Sequence, residues 1–224
     1  MRLYYMTSFE TATKHILTER RMRFGQFGSL NDPFELMSPS MDNPAHRQAL
    51  IYLHQIVAQH WGIICMGKHW KSPLMWAHYA KNHTGICLGF DVANGDAIQQ
   101  VAYISDRVNL PMDLSKPLHG ITYDDTMAML STKYSQWSYE EEYRLFGRLD
   151  DADPENGHYY FPFGPDMTLR EVIVGTRCDK PLHWFRHLLT DIAQPVTVIK
   201  ARPAFGSFTM VRKKDEAVIT VNPE

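Results

Sequence analysis

The residues that could perform chemistry are concentrated between Trp137 and Arg144, in the run Trp-Ser-Tyr-Glu-Glu-Glu-Tyr-Arg. Three consecutive carboxylates stand between aromatic residues, which are more typical of strands than of helices. Alternate residues of a strand share a face, so we expect Glu140, Glu142 and Arg144 to point the same way. In a helix, Glu140 and Arg144 would instead form an ordinary i,i+4 pair. The pattern indicates either a solvated ion-pair ladder or an active site.

Residues 31–35, Asn-Asp-Pro-Phe-Glu, form a second candidate. The proline disfavours helix at Asp32, and Asn and Asp both favour turns. One interpretation is an Asx turn followed by a surface glutamate. The other is a loop that places Asn31, Asp32 or Glu35 at the rim of a cleft.

A short helix is predicted to begin at Ser72 and Pro73, because serine caps helices and proline suits their first turn. It carries Trp76, His78 and Tyr79. Trp76 and Tyr79 share a face, which for Trp76 indicates packing. The polar tips of His78 and Tyr79 could instead reach a ligand.

No metal site is predicted. His183 and His187 are four residues apart, as in metal-binding helices, but no third ligand lies nearby in the sequence, so a surface pair is expected. The sequence contains no His-Glu-x-x-His run, no phosphate-binding Gly-Lys-Ser/Thr loop and no Gly-x-Ser-x-Gly elbow.

The composition narrows the class of protein. With 23 basic and 25 acidic residues, attachment to nucleic acid through overall charge is excluded, although a local basic patch stays open. Cys65, Cys87 and Cys178 lie in apolar runs without metal-type spacing, which predicts reduced, buried thiols and a cytoplasmic location. No signal peptide and no apolar run of membrane-spanning length is seen, so no membrane association is expected.

The elements that would position these residues follow from hydrophobic periodicity and capping patterns. Strands are predicted over residues 3–6, 21–27, 62–66, 85–91, 101–104, 137–147, 159–163, 169–175 and 196–200. Helices are predicted over residues 7–18, 45–60 and 122–136, from Ser72, and over 179–189. Asn43 is the expected N-cap of the second of these helices and Asp179 that of the last. A capping box with Thr7 as the N-cap begins the first helix, residues 106–120 are expected to be loop, and residues 208–212 and 217–221 a terminal hairpin.

The predicted helices lie mainly in the first part of the sequence and the predicted strands are concentrated in the second part. This order favours an α+β fold with a mixed central sheet flanked by helices. We expect a single domain over residues 1–224, with a motif-bearing core over about 1–178 and a C-terminal helix and hairpin over 179–224.

Five motifs together resemble a widespread bacterial family of uncharacterised proteins, a domain of unknown function. They are Leu3-Tyr-Tyr, Asn31-Asp-Pro-Phe-Glu, Leu74-Met-Trp-Ala-His-Tyr-Ala, Gly85-Ile-Cys-Leu-Gly-Phe-Asp and Trp137-x-x-Glu-x-Glu-x-Arg. The resemblance spans roughly residues 1–178 and implies no activity by itself.

The order of elements is also similar to the ADP-ribosyltransferase fold. This resemblance implies that Tyr5 or Thr7 contacts NAD as substrate, that Tyr79 stacks on nicotinamide and that Glu142 is catalytic. Glu140 would stand two residues earlier on the same face. A fixed carboxylate would stabilise the positive charge that develops at the ribose C1′ as nicotinamide leaves.

Three hypotheses follow. The first is an NAD-binding enzyme in a defence or toxin system, with a cleft that joins Tyr5, Tyr79 and a partly exposed Glu142. It would bind its ligand through residues of the first strand, the turn, the short helix and the late strand: Tyr5, Thr7, Asn31, Asp32, His78, Tyr79 and Arg144.

The second hypothesis is a non-catalytic binding or sensor module in which the same motifs are structural and no organised pocket exists. The third is nucleic-acid processing on a local basic surface formed by Lys68, His69, Lys71, Lys81 and Arg107. A small molecule or nucleotide is the expected partner, and the macromolecular target stays open.

Overall fold

A computed structural model of the protein describes residues 1–35, 38–40, 42–93, 95, 97–107 and 122–223. Its strands are β1 (Arg2–Thr7), β2 (Arg21–Arg23), β3 (Trp61–Gly67), β4 (Ile86–Val92), β5 (Ile98–Gln100), β6 (Ala102–Ile104), β7 (Thr132–Tyr134), β8 (Glu142–Arg148), β9 (Tyr160–Pro162), β10 (Met167–Val174), β11 (Val196–Pro203), β12 (Met210–Arg212) and β13 (Ile219–Val221). Its α-helices are α1 (Leu17–Glu19), α2 (Pro44–His60), α3 (Pro73–Tyr79) and α4 (Tyr123–Leu130).

The expected α+β fold with a mixed central sheet is confirmed. Within the described residues, nine strands form that sheet in the order β12-β11-β10-β4-β1-β3-β8-β5, with β13 also paired to β11. The β10–β11 pair is parallel and the other pairs are antiparallel. The short strands β2–β9 and β6–β7 form two further ribbons.

The centre of the sheet is divided between β1 and β3. Six residue pairs join β1 to β4, and seven join β3 to β8, but a single pair, Tyr4 opposite Gly67, joins β1 to β3. The two halves of the sheet therefore diverge on one side of this contact, and the gap between them leaves room for a groove.

Apolar residues cover both halves of the sheet. The largest cluster packs Leu88 and Phe90 of β4 against Phe185 of the 3-10 helix Leu182–Leu188. A second cluster contains Trp76 of α3 and Met6 of β1, and Trp76 is fully buried in it. This packing holds α3 against the strand that borders the gap.

Two of the predicted helix starts are confirmed. The Asn43 side chain accepts from the amide of Ala45, and the Ser72 hydroxyl accepts from the amide of Met75. The cap expected at Thr7 is wrong, because Thr7 ends β1 and the hydroxyl of Ser8 accepts from the amide of Thr11 instead.

Several predicted boundaries are wrong where tertiary pairing overrides the local pattern. The helix over 122–136 ends at Leu130, and the helix over 179–189 is the 3-10 helix Leu182–Leu188, preceded by Pro181 rather than Asp179. The strand over 21–27 ends at Arg23. The loop expected over 106–120 lies almost wholly outside the described residues.

The predicted terminal hairpin is also wrong. Strands β12 and β13 do not pair with each other but each pairs with β11, at its last and its first residues respectively. The hairpin that does form joins β11 to β12.

Candidate functional site

The three consecutive glutamates lie at a change of backbone conformation. A 3-10 helix (Ser135–Glu140) ends at Glu140, Glu141 adopts a left-handed conformation with φ of 42°, and β8 begins at Glu142. The strand predicted over 137–147 is therefore wrong in its first half. The left-handed residue sends the Glu141 side chain to His69 at the surface, while Glu140 and Glu142 are each only 4% exposed.

Lys133 of β7 holds these two carboxylates together. Its Nζ atom lies 2.6 Å from Oε2 of Glu140, 3.1 Å from Oε2 of Glu142 and 3.3 Å from Oε1 of Glu35. The ammonium also lies 5.0 Å from the centre of the Trp137 ring, within cation–π range. One buried lysine thus joins the neighbouring pair Glu140 and Glu142 to Glu35, which is about a hundred residues earlier in the sequence.

Arg144 forms the second layer of the cluster. It is fully buried; its Nε donates to Oε1 of Glu142 at 2.8 Å, and its Nη2 donates to both oxygens of Glu35 at 2.8 Å. Its Nη1 donates to the carbonyl of Leu130 at the end of α4. The loop that bears Glu35 is thereby tied to β8.

Tyr79, the last residue of α3, orients Glu140 from the opposite side. The Tyr79 hydroxyl donates to Oε1 of Glu140 and accepts from Nδ2 of Asn31 at 2.8 Å. The Tyr103 hydroxyl accepts from the amide of Glu142 at 2.9 Å. Side chains from three separate segments, α3, β7 and β8, therefore bind the two carboxylates directly.

Among the described residues, the cluster contains three carboxylates and two cations, which leaves one unmatched negative charge when all five groups are ionised. Burial by itself raises a carboxyl pKa. At Glu142 the charges of Arg144 and Lys133 outweigh burial and lower the pKa to about 2. At Glu140 burial outweighs Lys133 and the pKa is raised. The two neighbouring carboxyls are thus driven in opposite directions.

The same charges act on the groups around them. Burial opposes the ionised forms of Lys133 and Arg144, yet the carboxylates, Glu142 foremost, raise the pKa of both. Burial and then the charge of Glu140 raise the pKa of Tyr79, so its hydroxyl keeps its proton. Burial also raises the pKa of Cys65 far above the ordinary thiol value, which makes that cysteine unreactive.

A groove of about 980 Å³ runs through the gap between β1 and β3. Glu35, Lys133, Glu140 and Glu142 line one end of it, together with Tyr79. This volume is at the upper end of the range of small-molecule sites, about 300–1,000 Å³. The groove is large enough for a dinucleotide.

The other end of the groove carries charges of both signs. Its lining includes His15, Arg21, Arg23 and His158 together with Glu19 and Glu155. Arg21 is paired with Glu19 and Asp153, but no carboxylate pairs with Arg23 among the described residues; its Nη1 lies 3.4 Å from Nε2 of His158. The groove therefore has an acidic end and a mixed end at which Arg23 is available to an anion.

The structure brings some of the predicted site residues together in this groove and leaves others outside it. Tyr5, Asn31, Tyr79, Glu140 and Glu142 line it, so the expected cleft joining Tyr5, Tyr79 and Glu142 exists. The expected partial exposure of Glu142 is wrong, because Arg144 and Lys133 hold it in the interior.

The other four predicted residues do not line the groove. Thr7 is buried at the end of β1, and Arg144 lies behind Glu142. Asp32 is buried and its Oδ1 accepts from the amide of Phe34, as an Asx turn requires. His78 is exposed and packs beside Trp137 and Tyr139.

Sequence reasoning missed Lys133, because residues 122–136 read as one helix, and it did not select Glu35 over its neighbours. One signal in the sequence could have identified Lys133. Buried carboxylates need cationic partners, and the run of three glutamates has one arginine beside it, so a second cation was to be expected nearby. Lys133 lies only seven residues before Glu140.

No group of three or more His, Cys, Asp and Glu side chains that could hold a metal ion occurs in the described part of the chain. His183 and His187 are both exposed on the 3-10 helix Leu182–Leu188. In that same part of the chain, no helix is long and apolar enough to cross a membrane.

No match was found among curated proteins or among solved structures. The expected resemblance to a family of unknown function is confirmed for the segment that supplies Tyr79, Lys133, Glu140, Glu142 and Arg144. This segment, residues 75–145, matches the family model described as "Protein of unknown function (DUF2971)".

Proposed function

We propose that the groove binds NAD and that the protein is an ADP-ribosyltransferase-like enzyme acting at C1′ of the nicotinamide ribose. The observation that carries the proposal is the combination, in one groove, of a carboxylate cluster with an unmatched negative charge and of Arg23, which has no carboxylate partner among the described residues. NAD has the complementary pattern, since its nicotinamide ring is cationic and its diphosphate is anionic.

The charge of the cluster suits this substrate. A pyridinium ring beside Glu140 and Glu142 supplies the positive charge that the three carboxylates lack. At the other end, Arg23 lines the same groove and can meet the diphosphate, and arginine is well suited to phosphate oxygens.

The chemistry uses the opposite pKa shifts of the two carboxyls. When the C1′–N bond breaks, its electron pair leaves with nicotinamide, which becomes neutral, and positive charge develops on the ribose. Glu142, whose pKa is about 2, stays ionised and stabilises that charge. The incoming nucleophile, water or a hydroxyl or amine of a target, attacks C1′ and gives its proton to Glu140.

Glu140 is the better base because its pKa is raised, which brings it closer to the working pH. Its orientation depends on Tyr79, and Asn31 in turn positions the Tyr79 hydroxyl. In this proposal Glu142 stabilises charge, Glu140 accepts a proton, and Lys133 and Arg144 position them.

The second candidate is a non-catalytic binding or sensor module. It is favoured by the ion pairs at Glu142, where Arg144 contacts one carboxylate oxygen at 2.8 Å and Lys133 contacts the other at 3.1 Å. A carboxylate neutralised in this way serves as a brace. Such a module binds NAD, or another ligand with the same charges, without cleaving it.

The test combines binding and cleavage. Thermal unfolding with and without millimolar NAD reports binding, since a ligand of the native state adds RT ln(1 + [L]/Kd) to stability. Chromatography of released nicotinamide reports cleavage. We expect Glu140→Gln to lose about 100-fold or more in the rate of nicotinamide release at saturating NAD. Its thermal shift should be smaller than that of the wild type, because the change removes the unmatched charge that attracts the pyridinium ring.

Glu141→Gln is the matched control, because Glu141 belongs to the same run but points to His69 outside the groove. It should leave both readouts unchanged. A thermal shift without any nicotinamide release would favour the binding module. Absence of both in the wild type would reject NAD as the ligand.

A further inference from the structure

Two phenylalanines at the tip of the β11–β12 hairpin are almost completely exposed, Phe205 by 95% and Phe208 by 97%. The tip is well ordered by its own bonds. The amide of Ala204 donates to the carbonyl of Thr209 at 2.8 Å, and the hydroxyls of Ser207 and Thr209 are 2.8 Å apart. The hairpin thus presents both rings to the solvent as a fixed feature.

The strands below these rings are strongly basic. Residues 202–214 contain four cations and no carboxylate; the cations are Arg202, Arg212, Lys213 and Lys214. Lys213 pairs with Glu216 at 3.4 Å. This is a local concentration of positive charge on a chain whose net charge is −2.

The basic surface continues onto a neighbouring segment. The amide of Met210 donates to the carbonyl of Lys71 at 2.8 Å, which joins β12 to the loop that leads into α3. Lys68 and Lys71 of that loop are both exposed. The hairpin and this loop therefore form a basic region around the two rings. Arg202 lies on one face of the hairpin and Arg212 on the other, because Arg202 is opposite Val211 and Arg212 is opposite Ala201.

We propose that this surface binds single-stranded nucleic acid, with Phe205 and Phe208 as stacking platforms. Single-strand binders combine a basic surface that follows the phosphates with aromatic rings on which bases stack. The guanidinium of Arg202 lies 4.2 Å from the centre of the Phe205 ring. One face of that ring carries a cation that can reach a phosphate, and the other face is open to a base.

The same contact argues against a lipid surface as the occupant. Insertion of Phe205 among acyl chains would require the Arg202 guanidinium to leave the ring and extend to the headgroups, so the stacked contact would be lost. A base stacked on the open face leaves the guanidinium in water. The occupant is therefore a single strand, either RNA or DNA, and the binding is independent of the NAD proposal.

Fluorescence anisotropy tests this with fluorescein-labelled single-stranded RNA and DNA of mixed sequence, each roughly 16 nucleotides long. We expect the Phe205→Ala, Phe208→Ala double variant to bind at least about tenfold more weakly than the wild type. Tyr123→Ala is the matched control, because Tyr123 is an aromatic residue on α4 that is 62% exposed, and it should bind like the wild type. Arg202→Gln should reduce the slope of log K against log salt by about one.

Both altered phenylalanines are exposed, so circular dichroism should show an unchanged fold in the double variant. A stronger response to RNA than to DNA would indicate contacts to the 2′-hydroxyl, and either strand would support the proposal. The proposal is overturned if the wild type binds neither strand, if the double variant binds as well as the wild type, or if only phosphatidylserine vesicles bind.

Discussion

Two ion-pair clusters occupy the same central sheet, and they differ in burial and in charge balance. On β1, β4 and β10, Arg2 contacts Asp91 at 2.6 Å and Glu171 at 3.1 Å, and Arg170 contacts Asp91 at 3.4 Å. These side chains are 28–47% exposed. Two cations meet two carboxylates there, whereas the cluster at the groove sets three carboxylates against two cations in the interior.

The difference separates a structural role from a functional one. Exposed pairs contribute little to stability, about 0–1 kcal/mol, because water and salt already screen the charges. Buried charges lose their hydration, and apolar residues of similar volume often serve stability as well or better. A buried cluster with an unmatched charge is hard to explain by stability alone, which is why we assign it to ligand chemistry.

The largest expected effect comes from removing a cation of the buried cluster. Arg144→Met leaves Glu35 and Glu142 buried with Lys133 as their remaining cationic partner. Loss of one partner of a buried pair costs about 3–5 kcal/mol. Urea unfolding followed by circular dichroism should show this loss, and a cost below about 1 kcal/mol would show that the cluster is hydrated like a surface pair.

The next largest effect should distinguish the two carboxyls, because replacing each by glutamine should change the free energy of unfolding differently. Glu142→Gln should cost about 2 kcal/mol, because the folded state favours the charged form of Glu142 and hydrogen bonds to charged groups are lost. Glu140→Gln should cost much less or stabilise the protein, because the pKa of Glu140 is raised and the change removes the unmatched charge. Equal costs in urea unfolding would contradict the assignment of opposite pKa shifts.

The pH dependence of stability should sharpen this contrast. The ionised form of Glu142 stabilises the fold above the ordinary carboxyl pKa of 4.5, and that contribution is lost as the pH falls from 4.5 toward 2. The ionisation of Glu140 instead destabilises the fold as the pH rises above 4.5. The free energy of unfolding of the wild type and both variants is measured from about pH 3 to pH 8. The difference between Glu140→Gln and the wild type should disappear as the pH falls below 4.5, whereas the difference between Glu142→Gln and the wild type should narrow from pH 4.5 to about pH 3 without closing.

The smallest effect is expected at the exposed cluster. Arg2→Gln removes contacts to Asp91 and Glu171 that solvent largely screens, so it should cost at most about 1 kcal/mol. That cost should shrink further at high salt, while the cost of Arg144→Met should not. If Arg2→Gln lowered the free energy of unfolding as much as Arg144→Met, and did so at every salt concentration, the distinction between the two clusters would be wrong.

Local sequence signals predicted the elements better than the site. Ser72 and Asn43 could be identified as caps because a cap depends on residues within one turn of itself. The same logic failed between residues 131 and 141. There Lys133 lies on a strand beside β6, and Glu141 takes a left-handed conformation that no local preference of glutamate would indicate.

The sequence by itself determined the α+β class, the apolar strands and the run of three glutamates. Only the tertiary structure decided that Glu35, 109 residues away, would meet Arg144, and that Lys133 would bind both Glu140 and Glu142. It also decided that β1 and β3 would share one residue pair and leave a groove between them. Caps and periodicity arise from neighbours along the chain, whereas charge compensation and strand divergence depend on groups that only folding brings together.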